Sequence, residues 1–390
     1  DWQFREVTLC VRHSHPITPL WETKAIGDRF DIGARLREVE EKILSGAFDQ
    51  PRLEPSSYDL WLDRRLENGA DDSWFKDQPV HIVAPLCQFL GQALLKLGAS
   101  DQESIPGSAH AMGFDVAVLG NKAFRAALDR LAATATGALH EQKKTFGPLY
   151  TRLAWDYLNE TGFDPFRDIL RECILDHWPR AAGDVVLGQV VPERRLHSLV
   201  TAAEETGIGA ELLEHFLIEA GAFKADDKLP HSRKLFDAKV YAELLKEIPT
   251  LVGPIAMRTA MGATHQELVA LAQEGLLTPR TRVEKVKRPW RISDGIALVS
   301  ELSTDSKLID KGDTGWETLL FARRRRAVTL RDLISGIRDQ TLKVGQRVGV
   351  EGFHGIVVMT SEVDLMAAPR PKAPVEGLDQ EPGEISAAEF

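Results

Sequence analysis

Cysteine is scarce in this 390-residue chain: Cys10, Cys87 and Cys173 are the only three, far apart in sequence. So odd and sparse a set excludes a disulfide framework and fits a reducing compartment. Long apolar runs are missing as well. None reaches the ~18 residues that span a bilayer, and no signal peptide is read, so the sequence predicts a cytoplasmic protein with no membrane partner. There is no Gly-x4-Gly-Lys-Ser/Thr phosphate loop, no dinucleotide glycine fingerprint, no Gly-x-Ser-x-Gly elbow and no His-Glu-x-x-His. The adjacent acids Asp71-Asp72 and Asp226-Asp227 lie in polar loops and read as turn and capping residues. An enzyme is therefore not expected. Positive charge is in deficit too: 48 Lys and Arg stand against 58 Asp and Glu, a net charge of −10. The whole molecule should be repelled by polyanions, and any nucleic-acid contact must come from a local basic patch.

What is present is the balance of an ordinary globular protein, 43% hydrophobic and 27% charged, long enough for two to four domains. Residues 1–30 are mixed, with strand-like alternation over Phe4-Arg5-Glu6-Val7-Thr8-Leu9. Helical spacing then takes over: Ile32, Leu36, Val39 and Ile43, then Tyr58, Leu60, Trp61 and Leu66. A nearly all-apolar stretch over 80–97 and a further helix over 123–139 follow. Two helices are expected after Pro148, the second stopped by Pro179.

From residue 199 a loose repeat sets in, each copy a short helix, a tight turn and a second helix. The turns fall at Gly207-Ile208-Gly209, Met261-Gly262-Ala263 and near Val328-Thr329; the second helices are expected over 209–219, 265–273 and 330–338. This is the pattern of tandem helix-turn-helix units. Alternating valines over 343–359, broken at Glu351-Gly352, predict a hairpin or wing. From residue 367 Pro, Glu, Gly and Ala dominate, which predicts a disordered tail.

Two features carry chemistry. Arg280, Arg282, Lys285, Lys287, Arg288 and Arg291 surround Trp290 just after the second unit, where a wing would meet phosphates. They read equally as a solvated basic loop. Arg323-Arg324-Arg325-Arg326 is a second cluster that cannot all face one ligand, so some must pair with acids such as Asp332. In the second helices, His265 and Gln266, and Arg331 and Arg338, are base or phosphate candidates, whereas Glu211, Glu214 and Glu219 argue against DNA reading by the first unit. Arg194-Arg195 is a lesser candidate. The second feature is Cys10-x-x-His13, with His15 a weaker alternative to His13. A thiolate and an imidazole at this spacing can share a tetrahedral zinc ion, but two donors do not complete a structural site.

The run from Trp2 through Cys10 and His13 to Pro19-Leu20 resembles the second half of the zinc motif of the TniQ family, Trp-x6–7-Cys-x-x-His followed by Pro-Leu. In that family a Cys-x-x-Cys pair completes the site, and it is expected upstream of Asp1. The resemblance implies a mainly helical fold: a partial zinc ribbon over 1–30 and a helical TniQ-like domain over 31–146. Helix-turn-helix units with short β wings follow over 147–230, 231–310 and 311–366, with the tail over 367–390. It further implies a non-catalytic DNA-binding adaptor that selects transposon targets on double-stranded DNA and recruits an AAA+ ATPase and a transposase, zinc being held by Cys10 and His13. Two other readings stay open: a structural bridge in a nucleoprotein complex, including a guide-RNA complex, without direct DNA contact; and a helix-turn-helix transcription regulator.

Overall fold

In the computed structural model, residues 4–21, 31–98, 107–135, 141–283 and 285–366 are described, and among them stand seventeen helices and ten short strands. The mainly helical class expected from periodicity is what forms. Trp2 and the expected tail over 367–390 lie outside the described residues. The chain divides into two compact units, Asp1–Lys246 and Glu247–Phe390.

In the first unit, β1 (Leu9–Cys10) and β2 (His15–Pro16) form a minimal antiparallel hairpin, so the alternation from Phe4 yields far less strand than its pattern suggests. Helix α1 (Ile32–Leu44) starts where the Asp31 side chain accepts from the Ala34 amide. Its apolar stripe stays largely open: Val39 is buried, but Ile32, Leu36 and Ile43 are exposed. Helix α2 (Ser57–Asn68) begins with a Ser56–Asp59 capping box and ends on Gly69 at φ 74°.

Helix α3 (Val80–Gly98) is 19 residues long and apolar enough to cross a membrane by composition, which corrects the expectation that no segment qualifies. It lies instead in the protein core, packed on α4 (Ser108–Ala117), α5 (Asn121–Ala133) and α7 (Pro148–Thr151), with α6 (Gln142–Phe146) before the last. The approach of α3 to α4 is backbone on backbone. A Cβ on Gly91 would lie 1.7 Å from the Ala109 carbonyl oxygen, and one on Gly113 1.8 Å from that of Cys87. Helix α8 (Asp164–His177) packs on α5, and the same core runs on through Trp178, Val186 and Val191. The division expected after residue 146 therefore falls inside one continuous core. β3 (Val185–Val186) and β4 (Gln189–Val190) make a small hairpin. They are followed by β5 (Leu196–Ser198), α9 (Leu199–Thr206), α10 (Ala210–Glu219), β6 (Leu235–Asp237) and α11 (Ala242–Glu247).

The second unit holds α12 (Pro254–Met261), α13 (His265–Gln273), α14 (Ile292–Ser303), β7 (Lys307–Ile309), β8 (Trp316–Thr318), α15 (Leu319–Arg326), α16 (Leu330–Arg338), β9 (Val344–Arg347), β10 (Ile356–Met359) and α17 (Thr360–Met366). Its sheet runs β7-β9-β10-β8, with β7 parallel to β9 and the other pairs antiparallel. The hairpin expected over 343–359 is real, but its strands are the two inner ones, so it is not a free wing. Met257, Leu268 and Leu271 share one core with Leu319, Leu330 and Leu333. The expected boundary after residue 310 is corrected for that reason: it separates two strands of one sheet.

The repeat is closer than its sequence suggests. Helices α9, α12 and α15 are each eight residues long, and a left-handed residue follows each: Gly207 at φ 69°, Gly262 at φ 60° and Ala327 at φ 55°. One apolar or small residue then precedes the next N-cap, and after α10, α13 and α16 the chain turns left-handed again at Gly221, Gly275 and Gln340. The residues before each first helix pair antiparallel with a segment beyond the second helix: β5 with β6, Val252 with Trp290, and β8 with β10. The expected boundary after residue 230 falls between β5 and β6 and so cuts through the first copy.

Candidate nucleic-acid interface and metal ligands

The basic run between α13 and α14 is held flat by two side chains. Val286 is 5% and Trp290 7% exposed, and the run folds back so that the Arg280 amide donates to the Pro289 carbonyl at 2.7 Å. With the apolar residues turned in, Arg282, Lys285, Lys287 and Arg288 turn out; all four are exposed and have no ion-pair partner among the described residues. Arg280 and Arg291, at the two ends, behave differently. Both pair with Glu247, Arg280 at 3.2 Å. The hydrogen bond from Arg291, with that from Arg280, holds the Glu247 carboxyl below its ordinary range. Glu284 lies outside the described residues.

The arginines of α15 and α16 are engaged internally. Arg323 donates to Glu274 at 2.7 Å, Arg324 to the Gln266 side-chain oxygen at 2.6 Å, and Arg325 to Glu317 and Asp364. Arg326 pairs with Asp364 at 3.3 Å. Arg331 donates to the Glu274 carbonyl, and Arg338 forks onto both carboxylate oxygens of Glu301 at 2.6 and 3.1 Å. Asp332, expected to pair with this cluster, instead closes the capping box of Thr329. Acids meet four of these six arginines, Arg323, Arg325, Arg326 and Arg338, and come from α13's end, α14, β8 and α17. The exposed pair Arg338–Glu301 is worth at most about 1 kcal/mol and can exchange partners, while Arg324 rests on a neutral amide and Arg331 on a backbone carbonyl, so the cluster is only partly neutralised as folded. On α13, His265, Gln266, Val269 and Gln273 face outward, a surface without charge of its own. Arg195 is likewise held, by Glu172 and Asp176.

Cys10 and His13 lie at the β1–β2 turn with Sγ 3.3 Å from Nδ1. Two ligands on a tetrahedral zinc ion stand about 3.6 Å apart, given Zn–S near 2.3 Å and Zn–N near 2.0–2.1 Å, so the pair fits two of the four positions. His15 sits across the strand pair from Cys10. No third donor joins Cys10 and His13 among the described residues. A different group ties this segment down: Glu6 accepts from His110 Nε2 on α4 at 2.9 Å, and Phe4 and Val7 pack against the first unit's core.

A second cluster of donors escaped the sequence reading, which took Cys173 as one of three scattered cysteines. Cys173 and His177 are one turn apart on α8, and Asp129 reaches them from α5. Cys173 Sγ donates to Asp129 Oδ1 at 3.5 Å, His177 Nδ1 lies 3.8 Å from that oxygen, and the sulfur and Nδ1 are 3.9 Å apart. Burial, with Asp129 close by, pushes the thiol up to about 12. The i, i+4 spacing on α8 is visible in sequence; the carboxylate 44 residues away is not.

No family model, no curated protein and no solved structure matches this chain.

Proposed function

We propose that this chain is a non-catalytic DNA-binding adaptor of the TniQ type, which marks a double-stranded target and recruits an AAA+ ATPase and a transposase. The observation that carries the DNA contact is the exposed run Arg282, Lys285, Lys287 and Arg288, unpaired among the described residues and braced from beneath by Val286 and Trp290. Charge supports the location. Residues 247–366 hold 17 Lys and Arg against 15 Asp and Glu, whereas residues 1–246 hold 29 against 38. The recruitment role rests on the resemblance of the segment from Trp2 to Leu20, in which Cys10 and His13 would hold zinc.

Four phosphates neutralised by this run give a slope of about −3.6 for the logarithm of affinity against that of salt concentration. Duplex binding should therefore weaken by about a hundredfold between 50 and 200 mM salt. The triple variant Lys285→Glu, Lys287→Glu, Arg288→Glu should flatten the slope by about three. A titration by fluorescence anisotropy reads both. Equal binding by the variant, or binding insensitive to salt, would reject the interface.

The pairing of Arg323, Arg324, Arg331 and Arg338 inside the fold favours a second reading, a bridge in a nucleoprotein assembly without direct DNA contact. That reading expects no duplex binding by the purified chain, yet retention of an ATPase or guide-RNA complex on the immobilised protein.

A further inference from the structure

We propose that Asp129, Cys173 and His177 form a metal-ion site for a zinc-class divalent cation, with three protein ligands and one position open to water. The three donor atoms are 3.5, 3.8 and 3.9 Å apart, close to an equilateral triangle. The point equidistant from its corners lies about 2.2 Å from each, which is the span of Zn–S, Zn–N and Zn–O bonds. No helix has to move to admit an ion.

The donor set matches the cation. Thiolate, imidazole and carboxylate together select a borderline metal over calcium or magnesium, which take oxygen ligands. One thiolate and one carboxylate also balance a divalent charge. The carboxylate is already oriented: Arg125 donates to Asp129 at 2.8 Å and to Asp176 at 2.7 Å, the kind of outer hydrogen bond that fixes metal-binding carboxylates. The Arg125 charge is in turn met by Asp176, which also accepts from Arg195 at 3.0 Å.

Access is available on one side. Cys173 is fully buried, but the Asp129 side chain is 39% and that of His177 32% exposed, so two of the three ligand side chains border solvent. Asp129 also lines a shallow cavity of about 460 Å³ between α5 and α8, with Arg125, Ala126, Asp168, Ile169 and Glu172. Without metal, the Cys173 thiol donates to Asp129, and His177 Nδ1 donates to the Cys173 carbonyl at 2.9 Å. On binding, the ion replaces the thiol proton, which leaves to solvent. The imidazole proton shifts to Nε2, and the part-exposed ring turns Nδ1 off the Cys173 carbonyl so that its lone pair can coordinate. One proton is released for each ion bound.

The test uses the full chain carrying Cys10→Ser and His13→Ala, which silences the other thiol–imidazole pair, titrated with Zn²⁺ and Co²⁺. One equivalent should bind, with a near-ultraviolet cobalt–thiolate band and release of one proton. Cys173→Ser should abolish the band. Because Cys173 lies in the core, His177→Gln at a part-exposed position carries the comparison independently of folding, and it should weaken binding by more than about tenfold with an unchanged circular dichroism spectrum. Absence of stoichiometric binding, or a His177→Gln variant that binds as tightly as its parent, would overturn the site.

Discussion

Asp71 shows how far a single side chain can depart from what its neighbours in sequence suggest. Read as a loop acid beside Asp72, it is instead the hub of a buried group. It accepts from the Trp61 indole at 2.9 Å and the Ser73 amide at 2.8 Å, and pairs with Arg65. The Asp71 side chain is 2% and that of Arg65 12% exposed. Burial alone would raise the Asp71 carboxyl; hydrogen bonds from Ser73 and Trp61 and the nearby guanidinium bring it below its ordinary value. A group depressed in the folded state contributes stability that is complete above the unfolded aspartate value near 3.9 and disappears as pH falls through the lower folded value. Chemical denaturation should therefore show a loss below about pH 4 that Asp71→Asn does not share. Asp71→Ala should cost about 3–5 kcal/mol, because the Trp61 N–H loses its acceptor and the Arg65 charge loses its carboxylate, keeping only backbone carbonyls such as those of Lys76 and Gln78.

At the scale of the element, what could be read in advance was whatever is local. The helices expected over 265–273 and 330–338 form over those residues, because apolar spacing, a left-handed turn residue and a Thr N-cap all lie within a dozen positions. The stripe of α1 was equally visible, yet periodicity states only that a face exists, not what covers it. Long-range side-chain partners were beyond reach: Arg338 pairs with Glu301 across 37 residues, and Arg324 donates to the Gln266 amide oxygen across 58. The contact of α3 with α4 belongs here too, since nothing in the sequence shows that Gly91 and Gly113 face another backbone. Gly91→Ala or Gly113→Ala must push the two helices apart and should destabilise the first unit by about 3 kcal/mol, measured as a fall in melting temperature. A control at Gly69, where nothing lies within 4 Å, meets no clash and pays only for its left-handed φ of 74°.

Across the whole molecule, charge is divided unequally: the second unit is near balance while residues 1–246 carry the acid excess. If the exposed run beyond α13 holds DNA, residues 242–366 expressed alone should bind duplex a few-fold more tightly than the full chain at low salt. The difference should fade as added salt shortens the Debye length below about 10 Å. Tighter binding by the full chain would instead point to a contact in the first unit. The division into compact units was hard to foresee because three similar copies suggest three domains, whereas burial groups the second and third together.

That grouping has a mechanical side. The left-handed Gly262, which turns α12 into α13, lies against Gly352 in the loop joining β9 to β10; a Cβ on Gly352 would stand 2.5 Å from the Met261 carbonyl oxygen. From the same loop the His354 amide donates to the Gly262 carbonyl at 2.9 Å, and its ring meets Glu267, the residue that caps α13, at 2.8 Å. The second copy's outer helix is thus braced by a strand loop belonging to the third. Neither can be excised, swapped or lengthened alone, so the two have to be inherited, and engineered, as a single part.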